Sequence, residues 1–178
     1  MEDLPVPRVL AIIGTRVQQP TKVPMTTVHF KSVRELQSRV GDEISVSNWL
    51  TVTQERIDLF AKAIDDYQWI HVDVERAKRE LPYKSTIAHG FLSMSLLSAL
   101  LYEAMEFGPA RMGLNYGMNR VRFVSPVPAG SRLRARFKLK KYEEVEDNGV
   151  QMTWDVTVEM EGHAKPALVA EWLTRRYE

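Results

Sequence analysis

The sequence predicts an α+β fold in which a curled antiparallel sheet wraps around one long apolar helix. Two observations support this prediction. The stretch 89–106 is apolar nearly all round a helix, and such a helix must be covered by other structure. The stretch 131–145 alternates apolar and charged residues with a period of two, which is typical of a strand with one buried face. The 178 residues are enough for one domain with a sizeable core.

The N-terminal stretch differs from the rest of the chain. Residues 1–30 contain four of the nine prolines and show no sustained hydrophobic period. They predict an irregular extension, so that residues 31–178 form a single domain. A short helix over 31–40 and a first strand from Ile44 to Leu50 are expected to open this domain.

Two polar residues are placed to cap helices. Thr53 is expected to cap a helix that ends at Asp65-Asp66, because a hydroxyl can accept a bond from a free helical N–H. The apolar residues of that helix recur at helical spacing, at Ile57, Phe60, Ala61 and Ile64. Asp73 is expected to cap a charged helix over 74–80, which must stop before Pro82.

The long apolar helix is predicted to begin at Thr86. Gly108-Pro109 is expected to end it, since glycine is the usual residue after a helix and proline cannot continue one. Three serines and Glu103 interrupt the apolar run, which is too short for the roughly 20 residues of a membrane span.

The remainder predicts sheet. Strands are expected over 113–124, 131–145 and 167–176, and Asn148-Gly149 is a strong hairpin turn because both residues tolerate positive φ. That turn sets a register with these opposed pairs: Val145 and Met152, Leu139 and Val158, Phe137 and Met160, Lys138 and Glu159. A sheet of this kind around one helix is a hot-dog arrangement. We expect a homodimer, because one helix leaves a sheet edge unpaired.

Composition narrows the classes of partner and location. A formal charge of +1 gives no electrostatic case for nucleic acid or for an anionic membrane. The chain has no cysteine, which excludes disulfides and Cys-ligated metals and suits a cytoplasmic protein. We therefore expect a soluble, cytoplasmic protein that binds neither nucleic acid nor membrane.

Two groups that handle protons lie five residues apart, at Asp66 and His71. A carboxylate and an imidazole can act as acid and base near neutral pH. A helix N-terminus follows at Ala88-His89-Gly90, where negative charge can be held. These are the parts needed for chemistry beside a carbonyl group.

Four segments resemble the MaoC-like dehydratases, or (R)-specific enoyl-CoA hydratases, in the nodulation protein N-like branch. The segments read DYQWIHVD at 66–73, TIAHGF at 86–91, NYG at 115–117 and VRFVSPVPAG at 121–130. The resemblance spans roughly 33–176. It implies the hot-dog fold and reversible hydration of a trans-2-enoyl-CoA to an (R)-3-hydroxyacyl-CoA, with no metal or redox cofactor.

The resemblance also implies roles for particular residues. Asp66 and His71 would share one water during syn addition, and which of them takes the proton stays open. The N–H of Gly90 would hold the thioester oxygen as it becomes enolate-like. Ser98 matches a serine near the site in the family. Three residues of the next segment are expected to line the acyl pocket: Asn115, Tyr116 and Gly117.

The chain departs from the family pattern at two places. Family members commonly have Gly before the catalytic Asp, whereas Asp65 stands here. Many hydratases read Asn-Pro-Leu before the His, where this chain has Gln68-Trp69-Ile70, as is typical of the branch. We expect the extra carboxylate of Asp65 to raise the pKa of a neighbour, since like charges disfavour joint ionisation.

Several alternatives remain open at the level of sequence. A hot-dog thioesterase would use the same oxyanion donor, and a non-catalytic acyl-CoA-binding subunit would use only the pocket.

The remaining polar residues are given structural interpretations. His71 and Asp73 could be mistaken for metal ligands, but the sequence has no third ligand at suitable spacing, so no metal is expected. His29 and His163 are expected at the surface. The basic residues of 132–140 are expected to form a solvated, partly paired face rather than a coenzyme A phosphate site.

Overall fold

A computed structural model describes residues 27–178, and the fold begins earlier than predicted. Strand β1, Val28–Phe30, pairs in parallel with strand β4, Met105–Phe107. Phe30 is buried and stacks on Phe107 with the ring centroids 5.4 Å apart. Residues 28–30 therefore belong to the fold and not to an irregular extension. The rest of the predicted extension lies outside the described residues.

The predicted short helix is a 3₁₀-helix, Val33–Arg39. Ser32 and Glu35 form a capping box at its start. The Ser32 hydroxyl accepts from the Glu35 N–H, and the Glu35 carboxylate accepts from the Ser32 N–H. Gly41 then turns the chain with a φ of 96°. Two short strands follow, β2 at Glu43–Val46 and β3 at Leu50–Thr51.

Both predicted caps are confirmed. The hydroxyl of Thr53 accepts from the Arg56 N–H at the start of helix α1, Gln54–Ile64. The carboxylate of Asp73 accepts from the Arg76 N–H at the start of α3, Val74–Glu80. A short helix α2, Trp69–Val72, lies between them and was not predicted. Four residues carry too little periodicity for a helix to be recognised from sequence.

The apolar helix is shorter than predicted. It begins at Gly90 with α4, Gly90–Ser95, and continues after Leu96 as α5, Leu97–Ala104. The prediction that it starts at Thr86 is wrong, because Ile87 forms a β-bridge with Pro128. The prediction that Gly108 caps it is also wrong. Strand β4 lies between the end of α5 and Gly108, and the Gly108 N–H donates to the carbonyl oxygen of Phe30.

Four long strands form most of the main sheet: β5 at Met112–Phe123, β6 at Arg132–Val145, β7 at Gly149–Met160 and β8 at Leu168–Tyr177. The sheet is antiparallel with the order β2-β6-β7-β8-β5, and β3 also pairs with β6. The predicted strands are confirmed to within a few residues. Among residues 27–178 the sheet is not closed, so β5 is an edge strand there.

The register predicted for the β6–β7 hairpin is wrong. The observed opposed pairs are Val145 with Gly149, Leu139 with Trp154, Phe137 with Val156, and Lys138 with Asp155. Residues 146–148 form the loop between the paired Val145 and Gly149, with Asp147 and Asn148 at positive φ, so the partner of Val145 is shifted by three residues from the predicted one. A bulge between Leu139 and Lys141 adds one more residue of shift.

The apolar side chains of β6 and β7 nevertheless face the helix as expected. The total shift beyond the bulge is four residues, an even number, and an even shift keeps each residue on its face of the sheet. Leu133, Phe137 and Trp154 are fully buried in one core with Leu97 and Leu100 of the helix. The sheet thus curls around the helix in a hot-dog fold.

The sheet covers only part of the helix. Phe91 and Tyr102 are exposed, so residues 27–178 leave one face of the helix uncovered. Within residues 27–178, none of the helices has the length and apolar character needed to cross a membrane.

Candidate active site

Asp66 is held by the end of helix α1. Its N–H donates to the carbonyl of Ala61, and its carboxylate accepts from the Gln68 N–H over 3.2 Å. The side chain is 48% exposed, so the carboxylate can be reached by water and substrate. The end of α1 thus supplies an accessible carboxylate at a fixed place.

His71 is held more tightly. It lies on α2, is 7% exposed, and its Nδ1 is 2.6 Å from the carbonyl oxygen of Ile87. Because a carbonyl only accepts, Nδ1 carries the proton and Nε2 is left with a free lone pair. Burial lowers the pKa of His71, and nearby His89 lowers it further, against the opposing effects of the Ile87 carbonyl and Asp66. The imidazole is therefore held neutral and ready to accept a proton.

His89 completes the cluster, and sequence reasoning gave it no role. Its ring stacks on that of His71 with the centroids 3.7 Å apart and the planes inclined by 26°. Its Nε2 is 3.0 Å from the backbone oxygen of Asp66 and 3.8 Å from that residue's Oδ2. The available signal was a histidine in an otherwise apolar helix start, directly before Gly90.

Gln54 joins the segments that carry the two histidines. Its amide donates to the backbone oxygen of His71 over 2.8 Å and also accepts from the hydroxyl of Thr86. The Ile87 N–H donates to the carbonyl of Ile70 over 3.0 Å. These bonds hold α2 against the segment that leads into α4.

Asp65 adopts a backbone conformation that few residues other than glycine take up. Asp65 follows helix α1 in the left-handed region, with a φ of 56°. Glycine adopts this conformation at least cost, and aspartate and asparagine are among the few other residues that do so readily. Asp65 thus adopts a backbone conformation that glycine would also adopt readily.

Gly90 lies at the first position of α4, where the N–H has no partner within the helix. A Cβ added there would come within 2.9 Å of the Phe123 ring. Phe123 also packs edge-on against Phe91. A side chain larger than hydrogen at Gly90 would therefore displace this aromatic pair.

The other predicted residues lie further along the helix. Ser98, Asn115 and Gly117 line one cavity of about 420 Å³, whose other walls include Met94 and Trp172. The amide of Asn115 donates to the hydroxyl of Ser98 over 3.1 Å. The structure therefore brings Ser98, Asn115 and Gly117 together. They lie away from the cluster of Asp66 and the histidines, because Ser98 is about 12 Å further along the helix axis than Gly90.

Tyr116 is placed differently. Tyr116 is not among the residues that line this cavity of about 420 Å³, and its ring lies under the Arg175 guanidinium at 3.4 Å. A bulge between Asn115 and Gly117 takes Tyr116 out of the ladder with β8.

Asp66, His71 and His89 place three potential metal-ligand atoms within 4.8 Å of one another. Imidazole lone pairs lie in the ring plane, and the two rings here are stacked, so their nitrogens do not converge on one point about 2.0 Å away as a metal requires. The geometry is poorly suited to a metal ion. Asp73 is engaged as a helix cap.

The basic face of β6 is paired with acidic residues, as predicted. Arg134 contacts Glu159 over 2.6 Å, Arg136 contacts Glu43, and Lys140 contacts Glu171. Glu159 thus pairs with Arg134 and not with Lys138, which follows from the corrected register. His29 is exposed beside Glu106.

Comparisons with known proteins agree with this architecture. The family model described as "MaoC like domain" matches residues 35–161. The chain is 49% identical to nodulation protein N of Rhizobium leguminosarum bv. viciae over 148 residues, which cover 83% of this chain and 92% of that protein. It is 47% identical over 146 residues to 3-hydroxyacyl-thioester dehydratase Z of Mycobacterium tuberculosis strain H37Rv, covering 82% of this chain and 96% of that protein.

A solved structure is also similar. The unliganded (R)-hydratase PhaJ1 of Pseudomonas aeruginosa superposes with a TM-score of 0.59 at 26% identity, over 78% of this chain and 82% of that one. The matched family model covers well over half of the chain and includes the segments that hold Asp66, His71, His89 and Gly90. The chain therefore belongs to the MaoC-like dehydratase family.

Proposed function

We propose that this protein interconverts a trans-2-enoyl-CoA and an (R)-3-hydroxyacyl-CoA. The observation that supports this most is the pairing of an accessible carboxylate, Asp66, with a neutral imidazole whose Nδ1 is tied to Ile87. Such a pair can bind one water between them and move its proton. The names of the dehydratase Z and (R)-hydratase relatives support the same reaction class.

The reaction balances without a redox cofactor. The water oxygen bonds to C3 as one of its protons passes to the Asp66–His71 pair, and a proton is returned to C2. No electrons leave the substrate and neither residue is changed at the end. Addition from the face that carries the pair would give a single configuration at C3.

Gly90 would polarise the thioester in this proposal. Its N–H stands at the start of the helix, where backbone N–H groups lack intrahelical partners. A donor of this kind contributes roughly 3 kcal/mol when the oxygen becomes negatively charged. The acyl chain would then extend toward the cavity lined by Ser98, Asn115 and Gly117. A lining role for Tyr116 remains a prediction.

One assay tests the proposal. Crotonyl-CoA is incubated with the protein, and enoyl absorbance, free thiol and product configuration are followed. Loss of absorbance with no thiol and formation of the (R)-3-hydroxy product supports the hydratase. Thiol release would instead indicate the thioesterase, and binding without turnover would indicate a non-catalytic subunit; either would overturn the proposal.

We also propose that the protein works as a homodimer in the cytoplasm. Strand β5 is an edge of the sheet, and Phe91 and Tyr102 expose aromatic surface on the uncovered side of the helix. A second copy would cover both features, since unpaired edges and exposed apolar patches favour association. The cytoplasmic location rests on the absence of cysteine.

A further inference from the structure

We propose that His89 is a positioning residue that fixes both members of the Asp66–His71 pair. The inference rests on the proposed function, because it assigns His89 a part in the same reaction. His89 is the residue before Gly90 and contacts Asp66 and His71 from a buried place. It acts through those two residues and does not contact substrate.

The first contact is with His71. Two nearly parallel imidazole rings 3.7 Å apart leave no room for either ring to rotate about its χ2 bond. The bond from Nδ1 of His71 to Ile87 fixes which way round that ring sits. Stacking and hydrogen bond together therefore hold the free Nε2 of His71 in one direction.

The second contact is with Asp66. A carbonyl only accepts, so the 3.0 Å contact places the proton of His89 on Nε2, which donates to the backbone oxygen of Asp66. Asp66 stands in a non-helical segment after Asp65, where no helical bond restrains its carbonyl. The bond from His89 supplies that restraint and brings Nε2 within 3.8 Å of the carboxylate.

If His89 only filled space in the core, an apolar side chain would be expected at its position. His89 is 3% exposed, and its Nδ1 is buried without a hydrogen-bond partner among residues 27–178. Leaving a buried polar atom unpaired costs about 1–3 kcal/mol, which an apolar residue of similar size would avoid. Phe60 packs at 5.4 Å against this ring, so an apolar neighbour is already present. The cost is consistent with a site that needs both a flat ring and an N–H donor.

Two substitutions separate these two features. His89→Phe keeps a flat ring against His71 and loses the donor to Asp66, whereas His89→Gln keeps a donor and loses the stacked ring. We expect kcat for crotonyl-CoA hydration to fall in both, by up to about 10²-fold, because small displacements of reacting groups have effects of that size. KM should change little, since His89 is too buried to touch substrate. The control is Val33→Ala, a buried change in the 3₁₀-helix.

A second measurement does not depend on activity. Nitrogen NMR of the imidazole rings reports which ring nitrogen carries the proton, and the chain has only four histidines to assign. We expect Nδ1–H in His71 and Nε2–H in His89. In His89→Gln, the His71 signals should broaden or shift toward a mixture of tautomers, and they should stay unchanged in Val33→Ala.

The outcomes are distinct. A fall in kcat for both variants beyond that of Val33→Ala, with KM retained, supports positioning. A kcat that matches the control, or a loss that lies in KM, overturns it. If the wild type does not hydrate crotonyl-CoA, the proposed function fails and the NMR alone decides. An unchanged His71 spectrum in His89→Gln would then overturn the positioning role, and a changed one would support it.

Discussion

The Nδ1–H of His71 donates to the carbonyl oxygen of Ile87 over 2.6 Å, and this bond decides what the residue can do. A histidine tied in this way offers Nε2 as an acceptor. It remains an acceptor only while the ring is neutral, so proton transfer should depend on the pKa of His71.

The first prediction concerns pH. Burial lowers the pKa of His71, so the neutral form persists to more acidic pH than the ordinary value of about 6.5 allows. We expect kcat/KM to stay level as pH falls to about 6.5 and to decline only below it. A profile measured between about pH 5 and pH 8 checks this. A decline that begins above pH 7 would contradict the lowered pKa.

The same shift has a consequence for stability. The folded-state pKa of His71 lies below the unfolded value, so the unfolded chain binds the proton first as the pH falls. The stability contributed by neutral His71 is present above about pH 6.5 and is lost as pH falls through the folded pKa. Urea unfolding should show this loss in the wild type and a smaller one in His71→Gln.

The second prediction concerns the pair. Asp66→Asn and His71→Ala should each lower kcat by about 10²–10⁴-fold with little change in KM. Because both act on one water, the double variant should be hardly slower than the slower single variant. Steady-state kinetics on the four proteins gives the coupling. Effects that multiply would indicate that the two residues act in separate steps.

Features of the site that depend on neighbouring residues could be predicted from the sequence, whereas contacts between residues far apart in the chain could not. Thr53 and Asp73 were found as caps because a cap depends on the next three residues alone. The stacking of His89 on His71 was missed, because it joins residues 18 positions apart through a chain path that no spacing reveals. Family resemblance placed Asp66 and His71 together but gave no role to their neighbour.

The β6–β7 hairpin shows the same division. The alternation along β6 predicted its buried face, and Leu133 and Phe137 are indeed fully buried. The register depends on which residues adopt positive φ and on a bulge, and Asp147 tolerates positive φ nearly as well as Asn148 does. The residue types cannot decide between two such turns. The predicted β6–β7 register was therefore wrong, although the buried face of β6 was predicted correctly.

The third prediction concerns Asp65. Its φ of 56° suits glycine better than any residue with a Cβ. We expect Asp65→Gly to be neutral or stabilising and Asp65→Ala to be destabilising by roughly 1 kcal/mol, as measured by urea unfolding. Both variants should remain active, since Asp65 lies outside the cluster of Asp66 and the histidines.

Asp65→Asn serves as the control for charge. It removes the carboxylate and keeps a residue that tolerates this backbone conformation. We expect activity to be retained, with at most a shift of the pH profile. If Asp65→Asn were inactive and Asp66→Asn nearly normal, the assignment of the catalytic carboxylate would be wrong by one residue.

The fourth prediction concerns Gly90. An added Cβ would lie 2.9 Å from Cγ of Phe123, which is closer than packed side chains allow. Gly90→Ala should therefore displace Phe123 and lower kcat. The φ of Gly90 is not in the left-handed region, so alanine is tolerated by the backbone itself. Gly90→Ala combined with Phe123→Ala should recover activity relative to Gly90→Ala alone.

Phe123→Ala alone is the matched control for that comparison. It removes the ring while leaving Gly90 in place, so its kcat shows what the loss of Phe123 costs by itself. If the double variant is no faster than Gly90→Ala, then the alanine side chain acts on the substrate directly and not through Phe123.

The fifth prediction concerns assembly. Sedimentation at micromolar concentration should give about twice the chain mass of 20.5 kDa. Tyr102 is 67% exposed on the uncovered side of the helix, so Tyr102→Glu should leave the fold intact and shift the protein to the monomer. Leu59→Glu, at a position on α1 that is 62% exposed, is the matched control and should remain dimeric. A wild-type monomer that turns over crotonyl-CoA would contradict the dimer. Dissociation by Leu59→Glu, with Tyr102→Glu still dimeric, would place the interface on α1 instead of on the uncovered face of the central helix.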